Sequence, residues 1–232
     1  MASDLFCSIA EITESLKTPG DFVLVNKNRS DEVSICNAAL SYLGQKGTIT
    51  RIKPPEGNPN AEACAEYYPQ ALRYLLEAHN WAFAIRRVRL PEYKKYDADL
   101  YQWAHGYQVP SDYLRTVKVY EKSSQVDEAG IDFEIETISE TGSFILLTDS
   151  PAPMLRYVAS VQNVSIMPQY FIQALVLQLA SYLAGPLMKT SMAQQMIQMA
   201  AQALETAKYQ DSRNSIRVKH EYLAPHLAAR SI

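Results

Sequence analysis

The chain has 232 residues, 47% hydrophobic and 20% charged, enough for one or two domains with a buried core of their own. A net charge of −3 argues against a protein built to grip nucleic acid, which shows a basic face. Cys7, Cys36 and Cys64 are odd in number and fall in no disulfide or zinc spacing, so reduced thiols in a cytosolic setting are expected.

Asp4 and Glu11 stand where a signal peptide needs positive charge. The most apolar stretch, Phe171–Leu183, is interrupted by Gln173, Gln178 and Ser181, short of the roughly 18 apolar residues of a membrane helix. A soluble intracellular product without membrane contact is expected. Fifteen tyrosines against eight glycines suit a protein-binding surface, although strands and core edges use tyrosine as well.

In chain order, residues 1–30 read as an N-terminal extension. Leu5, Ile9, Ile12 and Leu16 mark a short amphipathic helix ended by Pro19-Gly20, and Phe22–Val25 an extended arm. A helix over Asp31–Leu43 follows, capped by Ser30 or Asp31 and closed by Gly44, with Val33, Cys36, Leu40 and Leu43 on one face. Asn58-Pro59 opens a second helix, in which Pro69 predicts a kink. At Asn80-Trp81 the period changes from helical to alternating. Strands are expected at Phe83–Leu90, Tyr107–Val109, Leu114–Tyr120, Ile131–Ile138, Phe144–Thr148 and Leu155–Ser160, with a hairpin turn at Thr141-Gly142.

Residues 91–105 read as a connection rich in aromatics. Its Tyr93, Tyr96, Tyr101 and Trp103 are candidates for an interface with another protein, or for packing onto the sheet. Pro168 begins a third helix, stopped by Gly185-Pro186, and Ser191 with Gln194 caps a fourth carrying a Met and Ala stripe. The expected class is α+β. A four-helix core (31–80 and 167–211) holds an inserted antiparallel β domain (81–166), with extended N- and C-terminal arms (1–30 and 212–232).

Catalytic chemistry leaves no linear trace. His79, His105, His220 and His226 lack metal-ligand spacing, and no P-loop, G-x-S-x-G or G-x-G-x-x-G occurs. Asp127, Glu128, Asp132, Glu134, Glu136 and Glu140 read as a solvated acidic face. No enzyme activity, metal or cofactor is expected. An enzyme whose pocket leaves no linear motif stays as an alternative.

Three stretches together resemble the head-to-tail adaptor family of tailed phages, typified by tail tubular protein A. They are ICNAALSYLG (Ile35–Gly44), the run Tyr68–Leu90 with Arg73, His79, Trp81 and Phe83-Ala84, and YQVPSDYLRTVKVY (Tyr107–Tyr120) with Pro110, Asp112, Leu114 and Arg115. The resemblance spans about residues 31–213, leaves residues 1–30 outside, and matches 121–150 in character only. It implies a virion protein, made in the host cytoplasm, forming a homododecameric ring between portal protein and tail nozzle protein. DNA would pass through the channel without specific binding.

The same resemblance implies that the C-terminal segment docks on the portal. Arg213, Arg217 and Lys219 would then meet acidic portal residues, with Tyr222 and Leu223 in apolar pockets. Phosphate contact is the alternative for that basic tail. Asp127, Glu128, Asp132 and Glu134 are candidate lumen-facing acids or a merely solvated hairpin. A partner-binding protein that forms no ring is the other alternative.

Overall fold

The computed structural model describes residues 31–45, 48–95, 102–121, 130–138, 142–187 and 190–214. The fold is α+β, with four helices and two antiparallel sheets, and the strands are inserted between the second and third helices.

Helix α1 (Glu32–Tyr42) starts on a reciprocal cap. The Asp31 carboxylate accepts from the Ser34 amide at 2.6 Å, and the Ser34 hydroxyl accepts from the Asp31 amide at 2.8 Å. It ends at Gly44, whose φ of 71° favours a residue without Cβ. Helix α2 (Pro59–Ala78) opens as expected, with Asn58 accepting from the Asn60 amide and proline in the first turn. Pro69 lacks one backbone donor, yet the helix continues through it to Ala78.

Helix α3 (Gln169–Leu187) packs against α1, α2 and α4 (Thr190–Asn214), so it is the hub of the helical part. Two boundaries move. Helix α3 passes the expected Gly185-Pro186 stop to Leu187, and α4 runs beyond the expected end at 211 to Asn214. The second shift has a physical reason, because Asp211 is buried and bonded to the body of the protein.

The strands are β1 (Ile85–Arg89), β2 (Glu92–Lys95), β3 (His105–Gln108), β4 (Tyr113–Glu121), β5 (Glu134–Thr137), β6 (Phe144–Thr148) and β7 (Pro153–Ala159). They form a three-stranded sheet, β1-β7-β4, and a four-stranded sheet, β2-β3-β6-β5. Strand β2 corrects the sequence reading, which took 91–105 as a connection. All four of its residues are exposed, so no alternation of apolar burial marks it, and pairing with β3 alone makes it a strand. Gly142, at φ 65°, lies in the expected β5–β6 hairpin connection.

Two hydrophobic cores result. The larger joins α1, α2, α3 and α4, and reaches the sheet through Val158. The smaller lies between the sheets, where Leu90, Tyr107, Val119, Leu146, Leu155 and Tyr157 meet. Strand alternation fixes the rest: with Leu155 and Tyr157 inside, Arg156 points out of the sheet pair. Likewise Ile135 packs inward, and Glu134 and Glu136 face outward. Among the described residues no helix is long and apolar enough to cross a membrane.

Candidate functional site: the helix–sheet junction and two charged faces

Trp81 is fully buried where α2 gives way to β1. Its indole Nε1 donates to the Leu75 carbonyl at 2.6 Å, satisfying a carbonyl near the end of α2 that has no helical partner of its own. Phe171 of α3 meets the ring edge-on at 4.9 Å, and His79 also meets it edge-on at 4.9 Å. The ring thus locks α2, α3 and the start of the sheet together.

Beside it lies a polar knot. Asp211, 1% exposed, accepts from the Tyr170 hydroxyl at 2.7 Å and from the Ala82 amide at 3.2 Å. His79 Nε2 stands 3.4 Å from the same carboxylate. Burial, then the bond to Asp211, pushes the Tyr170 hydroxyl up to about 12. This knot closes the last turn of α4 onto the junction.

Two of the three stretches of the resemblance, Tyr68–Leu90 and Tyr107–Tyr120, interlock at the same place. Arg115 Nε donates to the Glu77 carbonyl at 3.0 Å and its Nη2 to Asn80 Oδ1 at 2.7 Å, capping the C-terminal end of α2 with a cation. Asp112 pairs with Arg86 and accepts from the Tyr157 hydroxyl at 3.0 Å. Burial, followed by that bond, pushes Tyr157 up to about 12. In the helical core, contact with Cys64 and burial hold the Cys36 thiol well above its ordinary range, so it stays a small apolar filler.

The structure joins two groups of candidate residues that the sequence kept apart. Trp103, a candidate interface aromatic, donates from Nε1 to Glu134 Oε2 at 3.0 Å, a candidate lumen acid. Trp103 also lines a recess of about 460 Å³ with Asp132, Asp149 and Glu121, the last held by Ser150. Asp132 and Glu134 are exposed there. Tyr93 sits 51% exposed on the β2 edge, three strands from β5. Arg213 lies in the last turn of α4, its guanidinium 5.9 Å above the Tyr209 ring, and so belongs to a helix rather than to a free arm. Tyr96, Tyr101, Asp127, Glu128, Arg217, Lys219, Tyr222 and Leu223 lie outside the described residues.

A groove of about 500 Å³ between α3 and α4 exposes Tyr74 and Ile197 beside Tyr182 and Leu204. Among the described residues no three His, Cys, Asp or Glu side chains are placed to hold a metal ion. Sequence reasoning missed Asp211, Tyr170 and the outward Arg156. For Asp211 a signal existed: a carboxylate in a helix's last turns opposes the macrodipole unless something compensates. No protein-family model matches the chain, and no curated protein matches it.

Proposed function

We propose that this chain is a virion structural protein: a head-to-tail adaptor that forms a dodecameric ring, joins the portal to the tail nozzle and extends the DNA channel. The observation that carries the reading is the interlock of two of its three motif stretches. Asp112 and Arg115 from one stretch bind Arg86, Glu77 and Asn80 around the Trp81 junction. Residues that carry the resemblance are therefore framework positions of one joint, as expected where the likeness is one of architecture rather than of a reaction centre. An α+β body with the sheets inserted between helix pairs supports the same reading. So does an aromatic–acidic surface outside the core, centred on Trp103 and Glu134, which suits protein contact. No catalytic role is proposed.

The test is the mass of the purified protein by light scattering, alone and with the portal of the same particle. A species of twelve chains in either setting supports the ring. A small species that ignores the portal sinks the adaptor reading and favours a partner-binding protein of another kind.

A further inference from the structure

Among the described residues, helices α1 and α4 both pack on α3 and scarcely touch each other. A flank of α3 is left between them, where the exposed Gln173 lines hollows both toward α1 and toward α4. The hollow on the α1 side is a cleft of about 290 Å³. Ile35 and Ala38 of α1 and Ile172 and Val176 of α3 form its apolar floor. Tyr42, 45% exposed, stands at one end, with Ser34, Gln169 and Gln173 as a polar rim. No lining side chain is charged. From Ser34 to Tyr42 the cleft follows α1 for about 12 Å.

Residues 1–30 lie outside the described residues, and their sequence carries an apolar stripe of matching shape. Leu5, Ile9, Ile12 and Leu16 fall at i, i+4, i+7 and i+11, within an arc of about 60° on a helix. Asp4, Glu11, Glu14 and Lys17 all fall roughly 100° or more from the centre of that stripe. The stripe is neutral, as the cleft is, and about 17 Å long. A helix of about a dozen residues is marginal in water and holds only where its apolar face is covered.

Position favours this segment over a separate partner. Residues 17–30 join the stripe to Asp31, the cap of α1, and the cleft opens at Ser34, within the first turn. Those 14 residues reach up to about 45 Å when extended, several times the length of the cleft. Pro19-Gly20 is a turn signal placed where the chain must reverse to bring the stripe back along α1. A tether this short gives an effective concentration of about a millimolar, which a partner in solution does not have.

We propose that the α1–α3 cleft is the docking site of the chain's own N-terminal segment, with Leu5, Ile9, Ile12 and Leu16 laid as a helical stripe on the cleft floor. The segment then adds a helix to the bundle beside α1. The contact closes within one subunit, so it goes beyond the ring reading and does not depend on it.

The test is amide hydrogen exchange of residues 5–16 in the intact chain, over about a hundredfold range of concentration with light scattering alongside. Three variants accompany the wild type. Ile9→Asp with Ile12→Asp breaks the stripe, Ile9→Leu with Ile12→Leu keeps it, and Tyr42→Glu with Gln173→Glu puts acids on the cleft rim. Both rim residues are exposed, and circular dichroism confirms that each variant is folded. The proposal expects exchange over residues 5–16 slowed at least tenfold in wild type at every concentration. It expects the same slowing in the leucine variant and its loss in the other two. Fast exchange over these residues in wild type overturns the proposal. So does protection that survives the acids on the rim, which places the segment elsewhere. Protection that appears only where light scattering shows association assigns the segment to a neighbour's cleft and overturns docking within one chain. The ring reading is decided separately, by the mass with portal.

Discussion

Asp211 Oδ2 and the amide of Ala82 are 129 residues apart in sequence and 3.2 Å apart in the fold. That bond ties the last turn of α4 to the point where α2 becomes β1, beside Trp81 and His79. Replacing Asp211 with Ala removes the acceptor for the Ala82 amide and the Tyr170 hydroxyl at once. We expect a loss of about 2 kcal/mol in urea unfolding, because two part-buried donors lose their acceptor. Tyr170→Phe should cost about 1 kcal/mol. The double variant should fall short of the sum, since both act on one knot. Additive losses would mean that the two residues are not coupled.

The position of Asp211 also decides where the chain can be cut. A chain ending at Asn214 keeps the knot and should unfold at the wild-type midpoint. A chain ending at Gln210 loses it and should unfold at a clearly lower temperature, by differential scanning calorimetry. Under the adaptor proposal neither truncated chain binds portal. Portal binding by the chain ending at Asn214 would remove Arg217, Lys219, Tyr222 and Leu223 from the docking role.

Arg115 tests the capping of α2. Arg115→Met deletes both bonds, to the Glu77 carbonyl and to Asn80, and should cost about 1–3 kcal/mol. Arg115→Lys should recover little of this, because an ammonium cannot span two acceptors with a planar fork. Full recovery by lysine, read in the same denaturant titration, would show that charge alone matters.

Tyr157 predicts an alkaline limit. The folded hydroxyl holds its proton up to about 12, while an unfolded tyrosine releases it near 10. The folded state therefore binds more protons between these values. Its stability is full below pH 10 and falls as pH rises towards 12, by about 2 kcal/mol. Tyr157→Phe should flatten that fall, measured as unfolding free energy against pH. An unchanged slope would assign the alkaline loss to other groups, such as Tyr170, which is raised to about 12 as well.

Trp81 and Trp103 separate in fluorescence. Trp81 is fully buried among rings, and Trp103 is half buried on the sheet surface. Trp81→Phe should cost about 2–4 kcal/mol, through the lost bond to Leu75 and the space left behind, and should shift the remaining emission to the red. Trp103→Phe should leave stability within about 0.5 kcal/mol and the emission blue. If the proposed assembly occurs, emission from Trp103 should change on ring formation while that of Trp81 stays fixed.

Local chemistry was enough to locate much of this protein from its residues alone. The caps at Asp31 and Asn58-Pro59, the end at Gly44, the change of period at Trp81 and the apolar stripe of α3 each act within a few residues. Their sites were therefore legible, and so was the α+β class. Where no local signal exists the reading failed. Strand β2 has no buried side to alternate, and α4 outlasts its apolar stripe because a distant hydroxyl and amide hold Asp211.

The candidate surface divides along the same line. That Trp103 and the acids of residues 132–136 belong to exposed segments could be read in order along the chain. That Trp103 bonds Glu134, and that Arg87 stands across from Arg156, depends on strand register. A shift of one residue would turn every side chain of a strand to the other face. The sequence by itself determined the elements and the class, since those depend on spacing within a segment. Tertiary structure alone decided which charges share a face, because register is set by contacts between residues far apart in the chain.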